Sequence, residues 1–195
     1  MKGLSLTVLW ILSTPVIGAI AQTQTPPYNI GRVATAEEIR ARDISVAPDG
    51  SGLPVGKGAA SQGGKIYQTL CANCHGDRGE GVAKYPPLVG GRGTLTNKNP
   101  KLTVGSYWPY ATTVWDYIHR TMPYQRPGTL IGALTADETY AVTAFILYIN
   151  GIVDEKAELT EKTLPQIRMP NRDGFVADPR PDVLRKNEKT ESKVK

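Results

Sequence analysis

The chain has 195 residues with a formal net charge of +5 at pH 7, and 40% of its residues are hydrophobic. This length accommodates one compact domain of about 100 residues with extensions on either side. The positive charge does not indicate nucleic-acid binding, because much of it lies in a polar tail without interleaved aromatic residues. The basic cluster at the end of this tail consists of Arg185, Lys186, Lys189, Lys193 and Lys195.

The first 21 residues have the pattern of an export signal. Lys2 gives a positive start, residues 4–20 are mostly apolar, and Ala19 and Ala21 form a small-x-small cleavage site. We therefore expect cleavage after Ala21, a periplasmic mature chain and no stable membrane insertion after cleavage. The alternative is an uncleaved anchor, but the apolar run is slightly short for a spanning helix and is interrupted by Pro15.

Residues 22–59 are expected to form an N-terminal arm that is mostly irregular, because they are rich in Thr, Pro, Gly and Ser. One short helix is predicted over residues 36–43. Thr35 followed three residues later by Glu38 is a capping box, which marks the start of a helix.

Residues 60–152 form the apolar, periodic part of the chain, and we predict three helices there. The first covers residues 64–74, and the second covers residues 109–120. The third begins after a capping box at Thr135 and ends before Gly151. No part of this block shows a convincing strand alternation, so the predicted fold is all-α.

Residues 153–195 are polar again and are predicted to form an extended C-terminal tail. Four prolines exclude long helices from this segment. They are Pro165, Pro170, Pro179 and Pro181.

A C-x-x-C-H run formed by Cys71, Cys74 and His75 lies at the end of the first predicted helix of the block. These are both of the cysteines in the chain. Two thiols at this spacing can each form a thioether to a haem vinyl group, and the adjacent histidine then serves as the proximal iron ligand. The run therefore predicts one covalent haem c.

Other interpretations of the same run fit the sequence less well. A zinc site needs about four N or S ligands, and beyond the motif the chain offers His119 and carboxylates. A redox dithiol of the thioredoxin type would lack the histidine and would follow a strand in a βαβ pattern. A structural disulfide between Cys71 and Cys74 is possible but rare.

Gly63 and Tyr67, together with the C-x-x-C-H run, stand at the offsets found in the first helix of class I cytochromes c, which residues 60–151 resemble. The resemblance implies three main helices around one haem, with the N- and C-terminal extensions as arms. It also implies that Gly63 allows close crossing by the last helix and that Tyr67 packs against that helix.

The same resemblance bears on the second axial ligand. Met122 precedes a proline between the second and third helices, where this family places a methionine ligand, so His75 and Met122 are the expected metal ligands. A neutral thioether favours Fe(II) and raises the reduction potential. His119 and Met169 remain alternatives, although His119 lies in the helical turn before the loop and Met169 lies in the polar tail.

Pro86 stands where class I cytochromes c have a proline whose carbonyl accepts a hydrogen bond from the proximal histidine. Such a bond orients the imidazole ring and tunes the iron. The alternative is an ordinary proline turn.

Several further side chains are candidates for hydrogen bonds to the haem propionates. The basic candidate is Arg92, which could equally be an exposed arginine. The aromatic candidates could instead be core residues, and one or two are expected to have the polar role. They are Tyr107, Trp108, Tyr110 and Trp115.

A narrower resemblance covers residues 31–58, 103–124, 134–138 and 168–175. These runs resemble the cytochrome subunit of Sox-type sulfite (sulfane sulfur) dehydrogenases. The resemblance implies a molybdenum-containing catalytic partner that supplies electrons and a soluble cytochrome that accepts them. Some members have a second haem domain, which is absent from this sequence.

These observations predict a periplasmic electron-transfer subunit that performs no catalysis by itself. One alternative is a free electron shuttle or a subunit of another periplasmic dehydrogenase. Another is a haem enzyme, which would require an open iron position if Met122 were not a ligand.

Overall fold

The computed structural model describes residues 28, 30–124, 134–176 and 180. By its internal contacts the chain separates into two units, residues 1–43 and residues 44–195. The predicted export signal and the basic cluster of the tail lie outside the described residues. The elements in chain order are α1 (Ala36–Arg40), β1 (Lys57–Ala59), α2 (Ala60–Leu70), α3 (Ala72–His75), α4 (Ala111–Thr121), α5 (Ala136–Ile149), β2 (Glu158–Thr160) and a 3-10 turn (Leu164–Gln166).

The first unit contains the short helix α1. Thr35 and Glu38 form the predicted capping box, and Glu38 also pairs with Arg32. The Arg32 hydrogen bond is the main cause that lowers the pKa of Glu38 to about 2. The helix ends at Arg40, three residues earlier than predicted, and it buries none of its side chains.

The second unit has the predicted all-α architecture, organised by the crossing of α2 and α5. A Cβ atom built on Gly63 would lie 1.8 Å from the carbonyl oxygen of Ala141, so only glycine allows the two backbones to approach this closely. One turn later, the rings of Tyr67 and Phe145 lie 5.0 Å apart. The close crossing and the aromatic contact implied by the family resemblance are both present.

Helix α4 packs on α5 and buries Val114, Trp115 and Ile118 in the core cluster. Helix α5 begins at the Thr135 capping box and ends as predicted before Gly151, which has φ +63°. The amide of Gly151 donates to the carbonyl of Tyr148, which satisfies one of the free carbonyls of the last turn.

The segments predicted as an arm and a tail contribute to the same core as the helices. Strands β1 and β2 pair antiparallel, a small sheet that the sequence analysis does not predict. Val46, Leu159, Leu164 and Met169 are each at most 6% exposed within the core cluster. Scattered apolar residues of these polar segments thus share one core cluster with the helices, while the domain boundaries at residues 59 and 153 stay predictions.

Side chains from the helices also fix the backbone of residues 46–54. Each bond links a helix residue to an otherwise irregular segment, so this stretch is part of the folded unit. The bonds are Val46 N to Asp116 Oδ1 (2.9 Å), Thr112 Oγ1 to Pro48 O (2.9 Å) and Tyr140 Oη to Pro54 O (2.9 Å). Within the described ranges, no helix is long and apolar enough to cross a membrane.

Candidate functional site

The C-x-x-C-H run lies at the junction of two helices. Helix α2 ends at Leu70, Cys71 is its C-cap, and α3 continues to His75. The amides of Cys74 and His75 both donate to the carbonyl of Cys71, at 3.1 and 2.9 Å. These bonds wind the two thiols and the imidazole into one helical turn, which brings the three groups together.

The imidazole of His75 is oriented by Pro86. His75 Nδ1 lies 3.0 Å from the carbonyl oxygen of Pro86, the contact that the resemblance predicts for this proline. A carbonyl oxygen can only accept, so the proton of the ring lies on Nδ1. The lone pair of Nε2 is then available to a metal ion, which is the state required of an iron ligand.

The loop after His75 is held by backbone bonds and by one buried tyrosine. Tyr67 Oη donates to the carbonyl of Gly76 at 2.8 Å, and the amide of Gly81 donates to the carbonyl of His75 at 2.7 Å. Gly76 has φ +81°, a conformation that favours glycine. Burial raises the pKa of the Tyr67 phenol, so this donor stays protonated across the physiological pH range.

Both cysteine thiols are free and partly buried. Burial, and secondarily the neighbouring Cys74, raises the pKa of Cys71 to about 11. In these surroundings the Cys71 thiol is protonated at neutral pH. No group of three or more His, Cys, Asp or Glu side chains that could hold a metal ion occurs in the described part of the chain.

The three candidates for the second axial ligand differ in their surroundings. Met122 is the C-cap of α4 and packs, partly buried, against the core cluster. His119 stacks on Trp115 with ring centroids 4.6 Å apart, and burial lowers its pKa. Met169 belongs to the polar tail by sequence, but its side chain is 1% exposed in the core. The role of Met122 as the ligand stays a prediction.

Arg92 lies on the surface and is bound to the end of α5. Its Nη2 donates to the carbonyl oxygen of Asn150 at 2.5 Å. The guanidinium retains further N–H donors, so a propionate contact stays a prediction.

Tyr107 and Trp108, two of the aromatic candidates that precede α4, are engaged in ring contacts. Tyr107 is 39% exposed and packs edge-on against Phe175 of the tail, with centroids 5.2 Å apart. Trp108 is partly buried and packs edge-on against Tyr117, with centroids 5.7 Å apart. Their predicted contacts with the propionates stay predictions.

Trp115 differs from the other aromatic candidates because its indole is fully buried. Among the described residues, Trp115 Nε1 and Thr143 Oγ1 are buried polar atoms without a hydrogen-bond partner. Tyr110, the remaining aromatic candidate, has a partner for its ring, because Cζ of Arg172 lies 4.0 Å from the ring centroid. A buried N–H without a partner costs free energy, so Trp115 Nε1 is a suitable donor for a polar atom of a bound group.

The residues present fit a covalently bound haem c. Cys71 and Cys74 provide two free thiols on one turn, and His75 provides an imidazole with its coordinating nitrogen available. The orphaned N–H of Trp115 provides a buried donor. All of these residues are candidates from the sequence, whereas the bonds that join Asn150 to Arg92 and to Leu88 link segments far apart in the chain and have no local sequence signal.

Comparisons with known proteins agree with this site. A family model described as cytochrome c matches residues 60–150. A chain in the crystal structure of the sulfane dehydrogenase SoxCD from Paracoccus pantotrophus is similar at 47% identity with a TM-score of 0.70, over 77% of this chain and 72% of that chain. No curated protein sequence gives a significant match.

Proposed function

The chain belongs to the cytochrome c family and has the class I fold, and from this premise we propose that it is the electron-transfer subunit of a periplasmic sulfite or sulfane dehydrogenase. In this proposal the mature chain begins after Ala21 and holds one haem c. It receives electrons from a molybdenum-containing catalytic subunit and passes them to a soluble cytochrome.

The observation that supports the site most directly is the orientation of His75 by Pro86 beside two free thiols. In the proposal, Cys71 and Cys74 form the thioethers, and His75 and Met122 are the axial ligands. Haem c, when bound, supplies a one-electron carrier. The protein contributes orientation of the imidazole, a buried environment and a docking surface.

The similarity to SoxCD supports a partner that oxidises a sulfur substrate. Oxidation of sulfite or sulfane sulfur releases electrons in pairs, whereas one haem accepts a single electron. The chain must therefore pass each electron on before it accepts the next. This requirement is the reason for proposing a soluble cytochrome as the acceptor.

Among the aromatic candidates, Trp115 is the one whose surroundings best suit a polar contact with the haem. Its N–H is buried and unpaired in the described structure, while the rings of Tyr107 and Trp108 are partly exposed. Arg92 is proposed as a second, weaker contact because its guanidinium already binds Asn150.

The proposed function is tested on the chain recovered from the periplasm with its natural partner. The experiment measures the molybdenum content of the complex and the reduction of the haem after addition of sulfite or a sulfane-sulfur donor. We expect molybdenum in stoichiometric amount and reduction in the complex but not in the isolated chain. A haem-loaded chain without molybdenum, reduced by neither substrate, would contradict the partner while leaving the cytochrome assignment intact.

The arm around α1 is proposed to bind the catalytic subunit. Every described residue from 30 to 45 is exposed except Glu38, which is half-buried. Exposed apolar side chains in a segment without a core of its own are typical of a surface that orders on a partner. In the first unit they are Tyr28, Ile30, Val33 and Ile39.

Removal of residues 22–43 is therefore expected to weaken binding of the catalytic subunit at least ten-fold. Full burial of Ile30, Val33 and Ile39 on the partner would contribute about 1.5–3 kcal/mol of binding free energy for each side chain. Ordering of the arm on binding offsets a part of this gain. The haem spectrum and the melting temperature should stay nearly unchanged, because α1 buries no side chain.

Two valines provide a matched control for the arm. Val33 in the arm is 75% exposed, and Val55 in the second unit is 87% exposed. Val33→Ser should weaken binding of the catalytic subunit in a titration, and Val55→Ser should not. Equal affinities for the truncated and the full chain would show that the arm has no role in docking.

A further inference from the structure

Asn150, at the C-cap of α5, joins three parts of the second unit. Its Nδ2 donates to the carbonyl of Leu88 at 3.1 Å and to that of Ile146 at 2.9 Å. The backbone carbonyl of Asn150 accepts from Arg92. The side-chain Oδ1 lies against Gly105, where a Cβ atom built on that glycine would lie 2.2 Å from it. The side chain is therefore packed and bonded in one defined position.

The bond to Leu88 matters because of its place in the loop after the C-x-x-C-H run. Pro86 accepts from His75, and both Pro86 and Pro87 lack a backbone N–H. Leu88 is thus the first residue after Pro86 whose amide can fix the loop, and that amide donates to Gly79 at 2.7 Å. On its other side, the carbonyl of Leu88 accepts from Asn150.

The ring of Pro87 makes the connection from Leu88 to Pro86 stiff. It fixes φ of Pro87 near −65°, so ψ of Pro87 and φ of Leu88 are the torsions between the carbonyl carbons of Pro86 and Leu88 that can absorb a displacement. A shift of Leu88 is therefore transmitted to the carbonyl that orients His75.

We propose that Asn150 is a positioning residue for the proximal histidine, which it acts on through Leu88 and Pro86. This inference rests on the proposed haem site. It adds a residue 75 positions away in the sequence, on the last helix, that holds the acceptor of the His75 hydrogen bond in place.

The test is Asn150→Ala in the haem-loaded protein, with two readouts at His75. We expect hydrogen exchange of the His75 ring N–H to become about ten-fold faster. This factor corresponds to the loss of roughly the net free energy that one hydrogen bond contributes. We also expect a more positive reduction potential. A histidine with a weaker Nδ1–H bond is a less basic ligand and stabilises Fe(III) less.

Asn150→Ser is a second variant in case the alanine variant folds poorly. Serine is acceptable at a helix end, but its shorter side chain does not reach the carbonyl of Leu88. The same changes in exchange and potential are expected from it.

Thr112→Val is the matched structural control. Thr112 is 1% exposed and its Oγ1 donates to the carbonyl of Pro48, so valine removes a comparable side chain–backbone bond with nearly the same shape. We expect a lower melting temperature with unchanged exchange and potential. The positioning role would be overturned if exchange and potential were unchanged in both Asn150 variants, or if Thr112→Val changed them equally. A wild-type protein without the absorption spectrum of haem c would instead contradict the proposed haem site.

Discussion

Met122→Ala is expected to remove the long-wavelength absorption band that methionine ligation gives to ferric haem c, and to lower the reduction potential. A thioether is a neutral, soft ligand that favours Fe(II), so its loss stabilises the ferric state. The shift should be a sizeable fraction of the roughly 0.8 V range that axial ligands span. Absorption spectroscopy of the oxidised protein and a redox titration measure both effects.

The protein should still contain covalent haem after this substitution, because the thioethers and His75 are unaffected. The open iron position should then bind carbon monoxide or cyanide readily. His119→Gln and Met169→Leu are the controls, since these residues are the other candidate ligands, and both variants should retain the band. Met169→Leu is volume-conserving in a core position that is 1% exposed, so the fold should tolerate it.

A different result would change the proposed function. If the wild-type protein lacks the band and binds exogenous ligands, the iron is open or differently ligated. Catalysis at the haem would then become the leading hypothesis, and the role of electron carrier would need independent evidence. Loss of the band in Met169→Leu alone would instead assign the buried tail methionine as the ligand.

Features set by short-range chemistry could be predicted from the sequence. The capping boxes at Thr35 and Thr135 and the glycine at position 151 each depend on a few neighbouring residues, and all three are present. The proximity of His75 to Pro86 could be predicted only through the family resemblance, because eleven positions separate the two residues. The composition of the loop does not indicate which carbonyl accepts the hydrogen bond from the His75 imidazole.

Contacts between distant segments could not be predicted. Leu159, Leu164 and Met169 lie in a polar stretch with no periodic pattern, yet they are buried against the helices. Their burial depends on surfaces of α4 and α5 that exist only after folding. The link from Asn150 to Leu88 spans 62 positions and has the same origin.

The largest effect on stability is expected from Gly63→Ala. A methyl group at this position would lie 1.8 Å from the carbonyl oxygen and 2.3 Å from the carbonyl carbon of Ala141. Backbone atoms cannot rotate away, so α2 and α5 would have to separate. Their separation would loosen the contact between Tyr67 and Phe145 beneath the C-x-x-C-H run. We expect the free energy of unfolding to fall by about 3 kcal/mol or more, which is at or above the upper end of the usual range for overpacking a core.

Gly64→Ala is the control, because it makes the same substitution one residue later in the same helix. A Cβ atom on Gly64 would meet only the ring of Phe145, at 3.2 Å, and a ring can shift by a few tenths of an ångström. Alanine in a helix is also favoured over glycine by roughly 1 kcal/mol, which offsets this contact. Denaturant unfolding of the haem-loaded variants should therefore show a large loss for Gly63→Ala and a change within about 1 kcal/mol for Gly64→Ala. Similar midpoints for the two variants would mean that the helices do not cross at Gly63 as closely as the structure shows.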